Sequence, residues 1–137
     1  MTGNKDQSLL ELIDQQAASL AKARGFQSLG IYHLLWAMKQ LDEGVYLALL
    51  AAYNIDTNVF TKMVENVLRP RKAGGGIPRD KQEQQIANQA LQQAMQLAES
   101  KKEEATCSHL AAVITQLKED PIISLCERFD ISYQKPC

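Results

Sequence analysis

The sequence lacks the features that mark several common classes of protein. It has only three cysteines, Cys107, Cys126 and Cys137, and no C-x-x-C pair, which fits free thiols in a reducing compartment better than a disulfide framework. Its net charge is −1, so it lacks the broad cationic surface on which non-specific nucleic-acid binding depends. No apolar run reaches the length of a membrane span, and no apolar signal segment follows the polar N-terminus. We therefore expect a cytoplasmic protein with neither a nucleic-acid nor a membrane partner.

Aromatic residues are also scarce, at 6% of the chain, while Ala, Leu and Gln are abundant. This composition favours helices over strands. The chain has 137 residues, of which 45% are hydrophobic, and this is enough for one real core. A single domain over residues 1–137 is therefore the expectation.

Apolar residues recur every three or four positions through most of the chain, which predicts amphipathic helices. Gly25 ends the first helix, and Asp120-Pro121 is a start signal for the last, with Asp as the cap and Pro as the first helical residue. The segment around Trp36 is apolar on nearly every side, so we expect its helix to be enclosed by others and its indole ring to lie in the core. The predicted helices cover residues 8–24, 32–41, 45–53, 57–68, 84–100, 110–117 and a last segment from Asp120.

A change of composition separates the two halves of the chain. Residues 69–80 contain two prolines, three consecutive glycines and four basic residues, which is typical of a flexible linker. A phosphate-binding loop is the alternative interpretation. The glycines are not followed by Gly-Lys-Ser/Thr and no strand precedes them, so the linker is favoured.

The second half of the sequence repeats the order of the first. Identities at two spacings, 77 and then 76 positions, fall at corresponding points of three successive helices and include the rare residue His. They are Gln15/Gln92, Gln16/Gln93, Ala17/Ala94, Leu20/Leu97, Ala21/Ala98, His33/His109, Leu34/Leu110, Gln40/Gln116, Leu41/Leu117, Glu43/Glu119, Leu49/Leu125 and Ile55/Ile131.

This internal repeat predicts an all-α fold of two tandem helical units of about four helices each, related by a pseudo-twofold axis. The first unit covers about residues 8–68, the linker 69–80, and the second unit about 81–132. The last helix of the second unit is expected to be missing or rudimentary.

The ordered set of motifs resembles the double-repeat N-terminal domain of Clp-type AAA+ chaperone ATPases, from Ser8 to Ile131. The motifs are the Ala-rich first helix ending near Gly25, the segment His33-Leu34-Leu35-Trp36-Ala37-Met38, Glu43-Gly44, the Asn54-Ile55-Asp56 turn, and the second copy around His109-Leu110. The chain departs from the family where a Glu usually precedes the His, since Tyr32 and Ser108 occupy those positions, and at Ala111-Ala112, where large aliphatic residues are common.

The resemblance implies a module that captures unfolded or tagged protein segments, or an adaptor protein, and passes them to a Clp ATPase ring or protease. The sequence has no Walker motif, so this chain is expected to be neither an ATPase nor another enzyme, to need no cofactor, and to be a monomer as an isolated domain. The family's peptide groove, carried over helix by helix, corresponds here to Gln7, Leu9, Leu10, Ile13, Ile86, Ala90, Ser108 and His109. Taken singly, Leu10, Ile13 and Ile86 fit a core role better.

Two other functions remain open at this stage. One is a free-standing accessory protein that docks on a Clp protease. The other is a small enzyme in which Cys107 and His109, two positions apart, act as a thiol nucleophile with its base or as half of a metal site. No further ligand accompanies this pair, so we expect no metal. For His33 and His109 the favoured role is a hydrogen bond to a helix end in each repeat.

Overall fold

The computed structural model describes residues 9–26, 29–70 and 79–135, with the backbone alone described for Leu9, Leu10, Arg79 and Asp80. Seven helices and no strand are present in these ranges, so the expected all-α class is confirmed. The helices are α1 (Leu9–Ala23), α2 (Ile31–Leu41), α3 (Glu43–Ala52), α4 (Thr57–Val67), α5 (Arg79–Ser100), α6 (Cys107–Ile114) and α7 (Pro121–Arg128). None of these described helices is long and apolar enough to cross a membrane.

Two aspartates fix the starts of α4 and α7. The Asp56 carboxylate accepts a hydrogen bond from the backbone N–H of Val59 at 3.1 Å. The Asp120 carboxylate accepts from the backbone N–H groups of the second and third residues of α7 at 2.9 and 3.3 Å, and Pro121 is the first helical residue. These bonds satisfy donors that have no partner inside a helix, so the predicted cap at Asp120 is confirmed and Asp56 acts in the same way for α4.

Asp120 also joins the second repeat to the first. Its side chain is buried, and its other carboxylate oxygen accepts a hydrogen bond from the hydroxyl of Tyr53, a completely buried residue at the end of α3. The same oxygen pairs with the Lys135 ammonium at 3.2 Å. One residue away, the backbone N–H of Gln134 donates to the Tyr53 carbonyl at 2.8 Å. A single buried carboxylate thus satisfies a helix start, a core hydroxyl and the segment that follows α7.

Two helices begin at least three residues earlier than their apolar pattern predicted. Helix α5 begins at Arg79 instead of residue 84, and α6 at Cys107 instead of Leu110. The apolar stripe of α5 becomes visible only at Ile86, but Lys, Gln and Glu are good helix formers, so the helix extends past its apolar part. The predicted linker therefore ends before Arg79, and its residues 71–78 lie outside the described residues.

The backbone repeats itself at the spacings found in the sequence. Gly25 after α1 and Lys102 after α5, 77 positions apart, have positive φ angles of 80° and 56°. Asn54 after α3 and Asp130 after α7, 76 positions apart, have φ angles of 58° and 60°. A left-handed residue at these positions closes the C-terminus of a helix. The backbone geometry therefore supports the duplication independently of the side-chain identities.

The repeats pack reciprocally. Helix α2 packs against α5, and its counterpart α6 packs against α1; likewise α3 packs against α6, and its counterpart α7 meets α2, where the Tyr32 hydroxyl donates to the Pro121 carbonyl at 2.9 Å. This exchange of contacts is what a pseudo-twofold relation produces. The approach of α5 to the start of α2 is close, because a Cβ at Gly30 would lie 3.1 Å from the Cβ of Glu83.

Trp36 is less buried than the sequence predicted. Its side chain is partly buried and packs on the edge of the core. The guanidinium carbon of Arg24 and the ammonium of Lys39 each lie 5.9 Å from the centroid of its ring. The apolar run of α2 does not reveal these neighbours, because Arg24 follows α1 and Lys39 lies one turn further along α2.

We expect Asp120→Ala to destabilise the protein by about 3 kcal/mol, because it removes a cap and leaves the buried Tyr53 hydroxyl without its acceptor. Asp56→Ala is the matched control, since it removes a cap alone and should cost about 1 kcal/mol. Urea denaturation followed by Trp36 fluorescence measures both. Equal losses for the two variants would contradict the dual role of Asp120.

Candidate functional site

The predicted groove residues differ in burial and in position, and three of them have no described side chain. Gln7 lies outside the described residues, and the side chains of Leu9 and Leu10 are not described. Ile13 and Ala90 are completely buried. Both side chains belong to the core, so the prediction that they line a surface groove is wrong. The groove residues follow from the family resemblance, and a helical stripe has the same spacing whether it meets a partner or the core, so the spacing does not test them.

The three remaining groove residues lie in two separate places. Ile86 is half-buried and lines a cleft formed by α2, α5 and α7. Ser108 is exposed and His109 is buried, and both lie at the start of α6 beside a different hollow. The structure therefore separates Ile86 from Ser108 and His109. A groove that includes the start of α1 stays a prediction.

The cleft between α2, α5 and α7, here called the α2–α5–α7 cleft, has a volume of about 430 Å³. Its floor is apolar and its rim carries polar and charged side chains. The residues that line it are Ile31, Tyr32, Gln82, Glu83, Ile86, Glu119, Pro121, Ser124, Glu127 and Arg128. Only Ile86 of this set was predicted from the sequence, because the other residues come together through the packing of helices that are distant in the chain.

Charged side chains of both signs line the cleft, with three carboxylates against one guanidinium. Two of the carboxylates are bonded to neighbouring side chains: the Glu119 carboxylate accepts from the Gln82 amide, and the Glu127 carboxylate accepts from the Tyr133 hydroxyl at 3.0 Å. The cleft therefore combines an apolar floor with a polar rim in which acidic groups predominate.

A second groove, between α3 and α6, contains the counterparts of part of this cleft. This α3–α6 groove has a volume of about 270 Å³ and is lined by Val45, Ala48, Leu49, Ala52, Ser108, Ala111, Ala112 and Thr115. Ser124 and Arg128 of the cleft correspond, 76 positions earlier, to Ala48 and Ala52 of the groove. Among the described residues, the α7 wall of the cleft thus carries a serine and an arginine where the α3 wall of the groove carries two alanines.

The two histidines have the structural role favoured by the sequence. The backbone N–H of Gly30 donates to Nδ1 of His33 at 2.9 Å, and the backbone N–H of Thr106 donates to Nδ1 of His109 at 3.1 Å. Because Nδ1 accepts, the ring proton of a neutral His109 is on Nε2, which donates to the Glu103 carboxylate at 2.8 Å. Each ring therefore caps the start of the second helix of its repeat.

The cysteines are poorly suited to nucleophilic chemistry. Cys107 and Cys126 are completely buried. Burial, followed by the negative charge of Asp42, raises the pKa of the Cys107 thiol to about 12. Burial, followed by the charges of Asp120 and Glu127, raises the pKa of Cys126 to about 11. Thiols with such pKa values are protonated at neutral pH and are weak nucleophiles.

No group of three or more His, Cys, Asp or Glu side chains with the arrangement of a metal site occurs in residues 9–26, 29–70 and 79–135. Both ring nitrogens of His109 are already engaged, by Thr106 and Glu103. The pairing of Cys107 with His109 as a nucleophile and its base thus finds no support in the geometry.

Comparison with known proteins assigns the whole arrangement to one family. The sequence-family model of the Clp repeat (R) N-terminal domain matches residues 7–127, a range that runs from before α1 into α7. Domains of this family generally bind substrates or adaptors of Clp ATPases. No curated protein and no solved structure matches the chain.

We expect the free energy of unfolding to fall as the pH rises above about 9, because the two thiols ionise more readily in the unfolded chain than in the folded one. Their stabilising contribution is complete below the unfolded pKa and is lost as the pH approaches the folded values of about 12 and 11. Each thiol adds a slope of up to roughly 1.4 kcal/mol per pH unit in this window. Urea denaturation between pH 8 and 10.5 measures it.

Cys126→Ala supplies the comparison, and its loss of stability across this window should be shallower than that of the wild type. Identical slopes for the two proteins would show that Cys126 does not titrate differently in the folded and unfolded states.

Proposed function

The chain belongs to the Clp repeat N-terminal domain family, and from this premise we propose that it is a protein-binding module that recognises unfolded or tagged segments, or an adaptor, for a Clp-type ATP-dependent unfoldase. The module presents its partner to an ATPase ring or protease that is a separate catalytic unit. The proposal assigns no reaction to the residues of this chain.

The α2–α5–α7 cleft is the observation that carries this proposal. Tyr32, Ile86 and Pro121 give it an apolar floor, and hydrogen-bonding side chains surround that floor. Pockets with an apolar interior and a few placed polar groups are the usual form of a binding site for a peptide side chain. Two repeats build its walls, so the cleft depends on the duplicated fold.

The binding interpretation is preferred to the small-enzyme interpretation because of the state of Cys107 and His109. The thiol is completely buried with its pKa raised to about 12. The imidazole is held by Thr106 and Glu103. A nucleophile needs an accessible thiolate beside a base, and this pair supplies neither.

We expect Ser124→Trp to weaken binding of a permanently unfolded protein, such as reduced and carboxymethylated lactalbumin, by at least about tenfold, because a hot-spot pocket that is filled loses most of its binding energy. Ser124 is an exposed residue of α7 on the cleft, so a large side chain there occupies the cleft without entering the core. Isothermal titration calorimetry measures the dissociation constant.

Asn66→Trp, at an exposed position of α4, is the control for adding a surface indole and should bind like the wild type. Equal affinity of Ser124→Trp and the wild type would place the binding site elsewhere. Absence of binding by the wild type to both the unfolded protein and a Clp ATPase ring would contradict the proposed function itself.

A further inference from the structure

The two repeats differ sharply at the surface between the end of their first helix and the start of their second. In the second repeat this surface is an open hollow of about 350 Å³. We call it the α5–α6 hollow, and it is lined by Leu97, Lys101, Glu103, Glu104, Thr106, Ser108, His109 and Ala112. All eight side chains are among those that the structure describes.

The first repeat shows what can occupy the equivalent place. Ala112 is the counterpart of Trp36, 76 positions earlier, and Lys101 is the counterpart of Arg24, 77 positions earlier. In the first repeat the indole of Trp36 packs on the core with the Arg24 guanidinium 5.9 Å from its centroid. In the second repeat the cation is kept and the ring is replaced by a methyl group.

The remaining walls of the two places correspond as well. Leu97 has the counterpart Leu20, and His109 has the counterpart His33, with the same Nδ1 bond to the backbone in each repeat. His109 is further fixed by Glu103, which stands where the first repeat has Phe26. The His109 wall of the hollow is therefore already ordered, so a ligand that binds there need not pay the entropy of ordering this side chain.

We propose that the α5–α6 hollow binds an aromatic side chain of a partner protein, in the place that the Trp36 indole occupies in the first repeat. The inference rests on the proposed binding function and adds a second, chemically defined contact to the α2–α5–α7 cleft. Its occupant is a planar aromatic ring, recognised by an apolar wall and by the Lys101 ammonium.

The size of the hollow and the Lys101 cation both fit such a ring, and the Glu103 carboxylate of the lining is bonded to Nε2 of His109. An apolar cavity of about 150 Å³ accommodates benzene, so the hollow has room for one aromatic side chain. A lysine ammonium within about 6 Å of an aromatic face attracts it, and an aliphatic side chain of the same area lacks this attraction. The hollow should therefore prefer aromatic to aliphatic ligands.

N-acetyltryptophanamide is the probe, titrated into the protein while backbone amide signals are recorded by NMR, with N-acetylleucinamide as the aliphatic comparison. We expect shifts centred on Lys101, Thr106 and Ala112, and a weaker response to the leucine compound. Ala112→Trp fills the hollow from an exposed position and should raise the dissociation constant at least about tenfold. Its melting temperature should match or exceed that of the wild type.

Ala48→Trp is the matched control, because Ala48 is an exposed residue of the neighbouring α3–α6 groove and does not line the hollow. It should leave tryptophanamide binding unchanged. If Ala48→Trp abolishes binding as completely as Ala112→Trp, the ligand lies in the α3–α6 groove and the proposal is overturned. Unchanged binding by Ala112→Trp overturns it as well.

The role of the cation is tested separately, which keeps the proposal open to refutation even if Ala112→Trp folds poorly. Lys101→Gln should weaken tryptophanamide binding about two- to fivefold and leave leucinamide binding unchanged. Lys118→Gln, at an exposed lysine outside the hollow, should change neither. Equal effects on both ligands, or no effect, contradict recognition by Lys101.

The outcome is separable from that of the proposed function. Binding of unfolded protein that is insensitive to Ala112→Trp, together with no response to tryptophanamide, refutes the aromatic site and leaves the module's function standing. A tryptophanamide response in a protein that binds neither unfolded chains nor a Clp ring supports the hollow and refutes the function.

Discussion

Helix α2 constrains the rest of the fold, because seven of its eleven residues are buried and it has no face that can be left entirely to water. It packs against α1, α3 and α4 of its own repeat and against α5 of the other. Covering it therefore requires helices from both halves of the chain. The fold therefore requires both repeats, since neither unit alone can enclose its own central helix.

Features that depend on local chemistry were predictable from the sequence. Asp56 and Asp120 start helices because a short acidic side chain can reach the unpaired N–H groups of the first turn, and that geometry is set within a few residues. The internal repeat was also predictable, because similar residues recur at the ends of corresponding helices. Asn54 and Ile55 after α3, for example, correspond to Asp130 and Ile131 after α7. The all-α class and the order of the helices followed from these signals.

Features that depend on packing between distant segments were not predictable. Ile13 and Ala90 have the same periodicity as a binding stripe, and only the three-dimensional arrangement shows that they are covered. The cleft lined by Ile86 is formed by α2, α5 and α7 together, so no single segment of the sequence predicts it. Trp36 lies in an apolar run, yet its ring is only partly buried and lies near two cations, one of which comes from the loop after α1.

The bonds of Gln134 and Lys135 have a mechanical consequence. Gln134 is held by the carbonyl of Tyr53, at the end of α3, and Lys135 by the carboxylate of Asp120. Residues 134 and 135 are thereby attached where the end of α3 meets the start of α7. A pulling force applied through these residues would therefore act on the end of α3 in the first repeat as well as on the start of α7 in the second.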